Sequence, residues 1–144
     1  MFKFTSIILI TLLAGGCSSQ PFVRYKSPTI NGNLQINDSA ASGTVILLSL
    51  DNRDTECRQA VQQVQADEQG GFSLLAQKQQ MTHTPLMTHY LDEWNLCAEI
   101  QGNRHLIYSN NRYGMGSVTP SIRLRCYYPS RSKNENSCQV VIQD

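Results

Sequence analysis

Apolar and polar residues alternate along most of this chain, the period-two pattern of strands with one buried and one wet face. Ile30, Leu34 and Ile36 mark a first strand, and the Asn37-Asp38-Ser39 to Gly43 cluster ends it. The run Val45-Ile46-Leu47-Leu48-Ser49-Leu50 is apolar but for Ser49 and predicts a core strand. Residues 61–76 predict a strand, a turn at Asp67-Glu68-Gln69-Gly70-Gly71, and a strand through Phe72 and Leu74. Residues 77–91 contain Pro85 and no sustained pattern, so they form a long connection with a short strand near Met81. Trp94, Leu96, Ala98 and Ile100 then share a face, Gly102-Asn103 makes a tight turn, and His105 to Tyr108 returns as the partner strand. Ser109 to Gly116 is a loop. Beyond it Ile122, Leu124 and Cys126 alternate with Arg123 and Arg125, and Cys138, Val140 and Ile142 answer with the same parity. Short strands, frequent turns and no long helix predict an all-β fold, an antiparallel β-sandwich of about seven strands.

The N-terminus departs from this pattern. Lys3 precedes the apolar run Ile7 to Leu13, and the small residues Ala14-Gly15-Gly16 lead to Cys17. A bilayer-spanning helix needs roughly twenty apolar residues, nearly three times this run, so the segment is a signal peptide. Leu13-Ala14-Gly15-Gly16-Cys17 resembles the lipobox of bacterial lipoproteins. That resemblance implies cleavage before Cys17, acylation of its thiol, and a membrane-held chain facing the periplasm. Ser18 after the cysteine favours the outer membrane by analogy with bacterial sorting. The expected organisation is a signal peptide over residues 1–16, a lipidated tether over 17–27 and a β-sandwich over 28–144.

Losing Lys3 brings the 12 basic residues level with the 11 acids. A neutral domain carries no general attraction to nucleic acid. No acid lies between Glu99 and Glu135, whereas that stretch holds Arg104, Arg112, Arg123 and Arg125, which together predict a basic binding face. With Cys17 assigned to the anchor, Cys57, Cys97, Cys126 and Cys138 remain, an even set for an oxidising compartment. Cys126 and Cys138 flank the polar loop 130–137 and face each other across it. The expected bonds are therefore Cys126–Cys138 and, by elimination, Cys57–Cys97. Zinc is disfavoured because close Cys-x2-Cys pairs are lacking.

The segment Ala66-Asp67-Glu68-Gln69-Gly70-Gly71-Phe72-Ser73-Leu74 resembles the strand-turn-strand signature of carboxypeptidase regulatory-like and transthyretin-like (prealbumin-like) domains. Ile30-Asn31-Gly32-Asn33-Leu34 resembles their opening strand. The resemblance implies an accessory or binding module with no catalytic residues and no cofactor to carry over.

No Gly-x-Ser-x-Gly elbow or phosphate-cradling loop occurs, so the chain is expected not to be an enzyme. Asp51, Asp54 and Glu56 cluster without the regular ligand spacing of calcium loops and read as turn residues. Met-Thr-His occurs twice, and its Met81, His83, Met87 and His89 form a set suited to copper. Tyr113, Tyr127 and Tyr128 are candidates to enrich a contact patch. The leading expectation is an outer-membrane lipoprotein that binds or scaffolds an envelope protein or anionic envelope component. The alternatives are an inhibitor presenting residues 109–117 to a hydrolase, and a copper-handling lipoprotein.

Overall fold

The computed structural model describes residues 22–81, 89–115, 121–130 and 137–141. Among them there is no helix, and eleven strands follow in order. They are β1 (Phe22–Ser27), β2 (Thr29–Ile36), β3 (Ser39–Ala40), β4 (Val45–Ser49), β5 (Gln62–Gln65), β6 (Gly71–Leu74), β7 (Gln77–Met81), β8 (His89–Ile100), β9 (Asn103–Met115), β10 (Ser121–Tyr128) and β11 (Cys138–Val140). One sheet runs β11-β10-β2-β3 with β6 also on β2, a second runs β5-β4-β8-β9, and β1 with β7 forms a third. The result is a sandwich-like all-β fold. Its ladders are antiparallel except β2–β10, which is parallel over eight residue pairs from Ser121↔Thr29 to Tyr128↔Ile36. No hairpin turn joins these two strands, so nothing in chain connectivity imposes an antiparallel pairing.

The core lies between the two large sheets. Ile30, Leu34, Phe72, Leu74, Leu124 and Cys126 meet Ile46, Leu48, Trp94, Leu96, Ala98 and Ile107 in one buried cluster. Trp94 is its largest fully buried side chain, and its ring lies 5.2 Å from that of Tyr108. Gly32 makes room for this core, since a Cβ there would run into the Phe72 ring.

β4 is apolar from Val45 to Leu48 because both its faces are covered. Ile46 and Leu48 enter the main core, while Leu47 packs with Cys57 and Cys97 in a second cluster. The 51–60 loop supplies that second cover. The Cys57–Cys97 disulfide fastens it to β8. Asn95, fully buried, donates its Nδ2 hydrogens to the carbonyls of Asp51, Asn52 and Asp54 at 3.2, 2.9 and 3.1 Å. Asp54 accepts from Ser49 Oγ and from the backbone N–H of Arg58 and Gln59. The acids of this loop therefore organise the loop itself. Burial pushes the Asp54 carboxyl up, and these hydrogen bonds with the nearby Arg58 charge outweigh it, leaving its pKa below the ordinary 3.8.

The 61–76 segment is strand-turn-strand as its sequence predicts, yet its strands belong to different sheets. β5 pairs β4 and β6 pairs β2. Asp67 builds the arch between them, its Oδ1 accepting from Gln69 N and Gly71 N at 2.9 and 2.7 Å. Gly70 sits at φ 79° with its carbonyl accepting from Leu34 N. A Cβ at Gly70 would run into the Leu34 carbonyl oxygen, so both backbone shape and space call for glycine.

Four expectations change. The span assigned to the tether includes β1, whose Val23 and Tyr25 alternate with Arg24 and Lys26 and which pairs β7. The short strand expected near Met81 is β7, which begins at Gln77, and residues 89–91 are strand rather than connection. The β8–β9 turn centres on Gln101 and Gly102, at φ 53° and 77°, one residue earlier than expected, because the two consecutive positive φ values match the right-handed twist of a hairpin. Ser109 to Met115 continues β9 opposite His89 to Asn95 instead of looping. The disulfides are Cys57–Cys97 and Cys126–Cys138, as expected, the second joining directly opposed residues of β10 and β11.

Candidate functional site

Period two puts Ile30, Leu34, Leu124 and Cys126 into the core, so the residues between them line the outer face of the same sheet. The parallel β2–β10 register sets Arg123 beside Asn31 and Arg125 beside Asn33. Across β2, Asn31 pairs with Ser73 and Asn33 with Gly71. Two rows result, Arg123-Asn31-Ser73 and Arg125-Asn33-Gly71. Alternate residues of one strand stand about 7 Å apart along it, so the rows present two cations with polar neighbours.

These rows line an open groove of 540 Å³, to which Val64, Gln65, Asp67 and Val141 also contribute. Arg123 and Arg125 are exposed, and among the described residues no acid forms an ion pair with either. Ser73 Oγ donates to Asn31 Oδ1 at 2.9 Å, and Asn33 Nδ2 donates to the Gln69 carbonyl at 2.7 Å. The amides are thus held in place by the β6 edge and the 67–71 turn. Asp67 is turned to that arch, as its hydrogen bonds to Gln69 and Gly71 show. Paired guanidiniums with fixed amide and hydroxyl neighbours suit bidentate recognition of carboxylates or phosphates.

The other members of the expected basic face lie elsewhere. Arg104 is on β9 in the other large sheet. Its Nη1 donates to the Cys57 carbonyl at 3.1 Å and its Nε lies 3.9 Å from Glu99 Oε2, so it clamps the 51–60 loop. Arg112 pairs with Asp92 in the β8–β9 register, and its side chain lies outside the described residues. Sequence proximity joined four arginines that the topology separates two from two.

Tyr128 is half-buried and packs on His105, with ring centres 4.9 Å apart and its hydroxyl 3.1 Å from His105 Nδ1. Tyr127 and Tyr128 line a smaller hollow of 260 Å³ with Gln35, Asn37 and Asp38. The Tyr113 side chain lies outside the described residues. Of the copper set, Met81 ends β7 and His89 opens β8, while His83 and Met87 lie outside the described residues.

Asn31, Asn33 and Ser73 escaped the sequence reading as site residues. Their parity carried a signal, since each sits between inward-facing neighbours. No family model, curated protein or solved structure matches the chain.

Proposed function

We propose that this protein is a non-catalytic binding module, anchored through acylated Cys17 in the outer membrane and facing the periplasm, whose groove takes an acidic group of an envelope component. The observation that carries the reading is the pair Arg123 and Arg125, exposed, without a described acid partner, and backed by Asn31, Asn33 and Ser73. The two disulfides support a compartment outside the reducing cytoplasm. The lipobox-like Leu13 to Cys17 supports the anchor. One acyl chain holds a protein only marginally, so triacylation of Cys17 makes attachment firm. The Asp67-Gly70 arch and the two packed sheets support kinship with transthyretin-like modules.

Two measurements test this reading. Metabolic labelling with an alkyne fatty acid should mark the wild-type chain and not Cys17→Ser; equal label on both refutes the anchor. Co-purification after envelope crosslinking should recover a partner with the wild type and lose it with Arg123→Ser and Arg125→Ser combined. Unchanged recovery removes the groove from the account. Residues 109–115, which the hydrolase-inhibitor alternative takes as part of a loop, lie in β9, and residues 116 and 117 lie outside the described residues.

A further inference from the structure

β1 and β7 form a two-stranded sheet of their own, and β1 begins at Phe22, close behind Cys17 in sequence. Fully extended, the chain from Cys17 to Phe22 spans at most about 18 Å. Whatever surface holds the lipid is therefore near this ribbon.

The ribbon's register pairs Val23 with Gln80 and Tyr25 with Lys78. Val23 is 49% exposed, and Lys78 Nζ lies 5.2 Å from the centre of the Tyr25 ring. Arg24 takes the alternate position with its Nε buried, away from this surface, and Lys26 sits at the register shift between Tyr25 and Ser27. An aliphatic side chain, an amphipathic ring and long-stemmed cations form the residue set that settles at the headgroup level of a bilayer. The charge is one-sided: no acid precedes Asp38, and none lies between Glu68 and Asp92. Among the described residues no acid forms an ion pair with Lys26 or Lys78.

We infer that the β1–β7 ribbon is a membrane-docking face, laid by the Cys17 anchor against anionic phospholipid headgroups. This rests on the lipoprotein reading above. Each Lys or Arg near an anionic bilayer strengthens attachment by about fivefold. With only Lys26 and Lys78 offered by the ribbon, the free domain binds weakly. The anchor makes the contact intramolecular, where weak charge attraction is enough to orient the domain.

The test uses the full-length mature protein, purified from membranes and reconstituted into vesicles of phosphatidylcholine alone or of equal parts phosphatidylcholine and phosphatidylglycerol. A water-soluble amine-acylating reagent and mass spectrometry read Lys26, Lys78 and Lys133, the lysines that follow Cys17. With the acyl group seen on Cys17, Lys26 and Lys78 should lose about threefold in reactivity in the anionic vesicles, and Lys133 should not. High salt should restore them. Equal reactivity in both vesicles, or a uniform fall across all three lysines, overturns the docking face while leaving the anchor standing. Absence of an acyl group from Cys17 overturns the anchor and the docking face together.

Discussion

Gly43 and Gly70 share nearly the same backbone, at φ 73° and 79°, yet replacing each with alanine should have very different consequences. In the left-handed region an added Cβ costs about 1 kcal/mol. At Gly43 that is the whole effect, because no atom lies within 4 Å of the added carbon. At Gly70 the same carbon would collide with the Leu34 carbonyl oxygen and come within 3.0 Å of Ala41 N, both backbone atoms. Relief requires moving the arch away from β2, which loosens the Leu34 N to Gly70 O bond at 2.8 Å and the Ala41 N to Leu34 O bond at 3.1 Å. At about 1 kcal/mol for each net hydrogen bond lost, Gly70→Ala should cost about 3 kcal/mol in all. Urea unfolding followed by Trp94 fluorescence measures both variants, since Trp94 is 2% exposed and reports core opening. A Gly70→Ala cost equal to that of Gly43→Ala would refute the close approach of arch and β2.

Three further outcomes follow from the same contacts. Removing Cys57–Cys97, whose partners are 40 residues apart, should destabilise by about 4 kcal/mol, and removing Cys126–Cys138, 12 apart, by about 3 kcal/mol, from loop-closure entropy; reversed order in urea midpoints at equal slope would contradict this. Asp54 has a depressed pKa in the fold, so its stabilising contribution is present above the unfolded value and is lost as pH falls through the folded one. The gap in melting temperature between wild type and Asp54→Asn should therefore be constant near neutrality and close below about pH 4, and a gap that persists into stronger acid counts against it. Arg123→Ser with Arg125→Ser should change stability by no more than about 0.5 kcal/mol, because both side chains are exposed.

Local signals reached far into this fold. The β4 run, the β8–β9 hairpin and the 61–76 strand-turn-strand were legible because each depends on neighbours in sequence. The parity of Cys126 and Cys138 revealed their bond for the same reason, as their strands face across one polar loop. β1 was hidden, and β7 was legible only as a short strand near Met81, because their partnership links residues 22–27 to 77–81. Arg24, Lys26 and Lys78 also give both strands a solvated, linker-like composition. The parallel β2–β10 pairing is likewise long-range, and no turn announces it. The groove followed the same division. Period two turned Arg123 and Arg125 outward, but only the β2–β10 register brings Asn31 and Asn33 beside them. Arg104 looked like their neighbour until topology placed it on β9, where its bond to the Cys57 carbonyl gives it a structural task.

The arrangement also separates two roles on one small domain. The 51–60 loop, with Asn95, Asp54 and the Cys57–Cys97 bond, covers the outer face of β4. The β10–β2–β6 face keeps its cations open. The first stabilises the module, and the second is the face on which the proposed binding rests.

The most direct test places a photo-crosslinking amino acid at Ser73, at the end of the Arg123-Asn31 row, in the full-length protein in living cells. The account predicts a discrete adduct with an envelope component that disappears when Arg123→Ser and Arg125→Ser are added. An adduct that survives the double substitution, or none at Ser73 in the otherwise wild-type chain, would contradict a function centred on this groove.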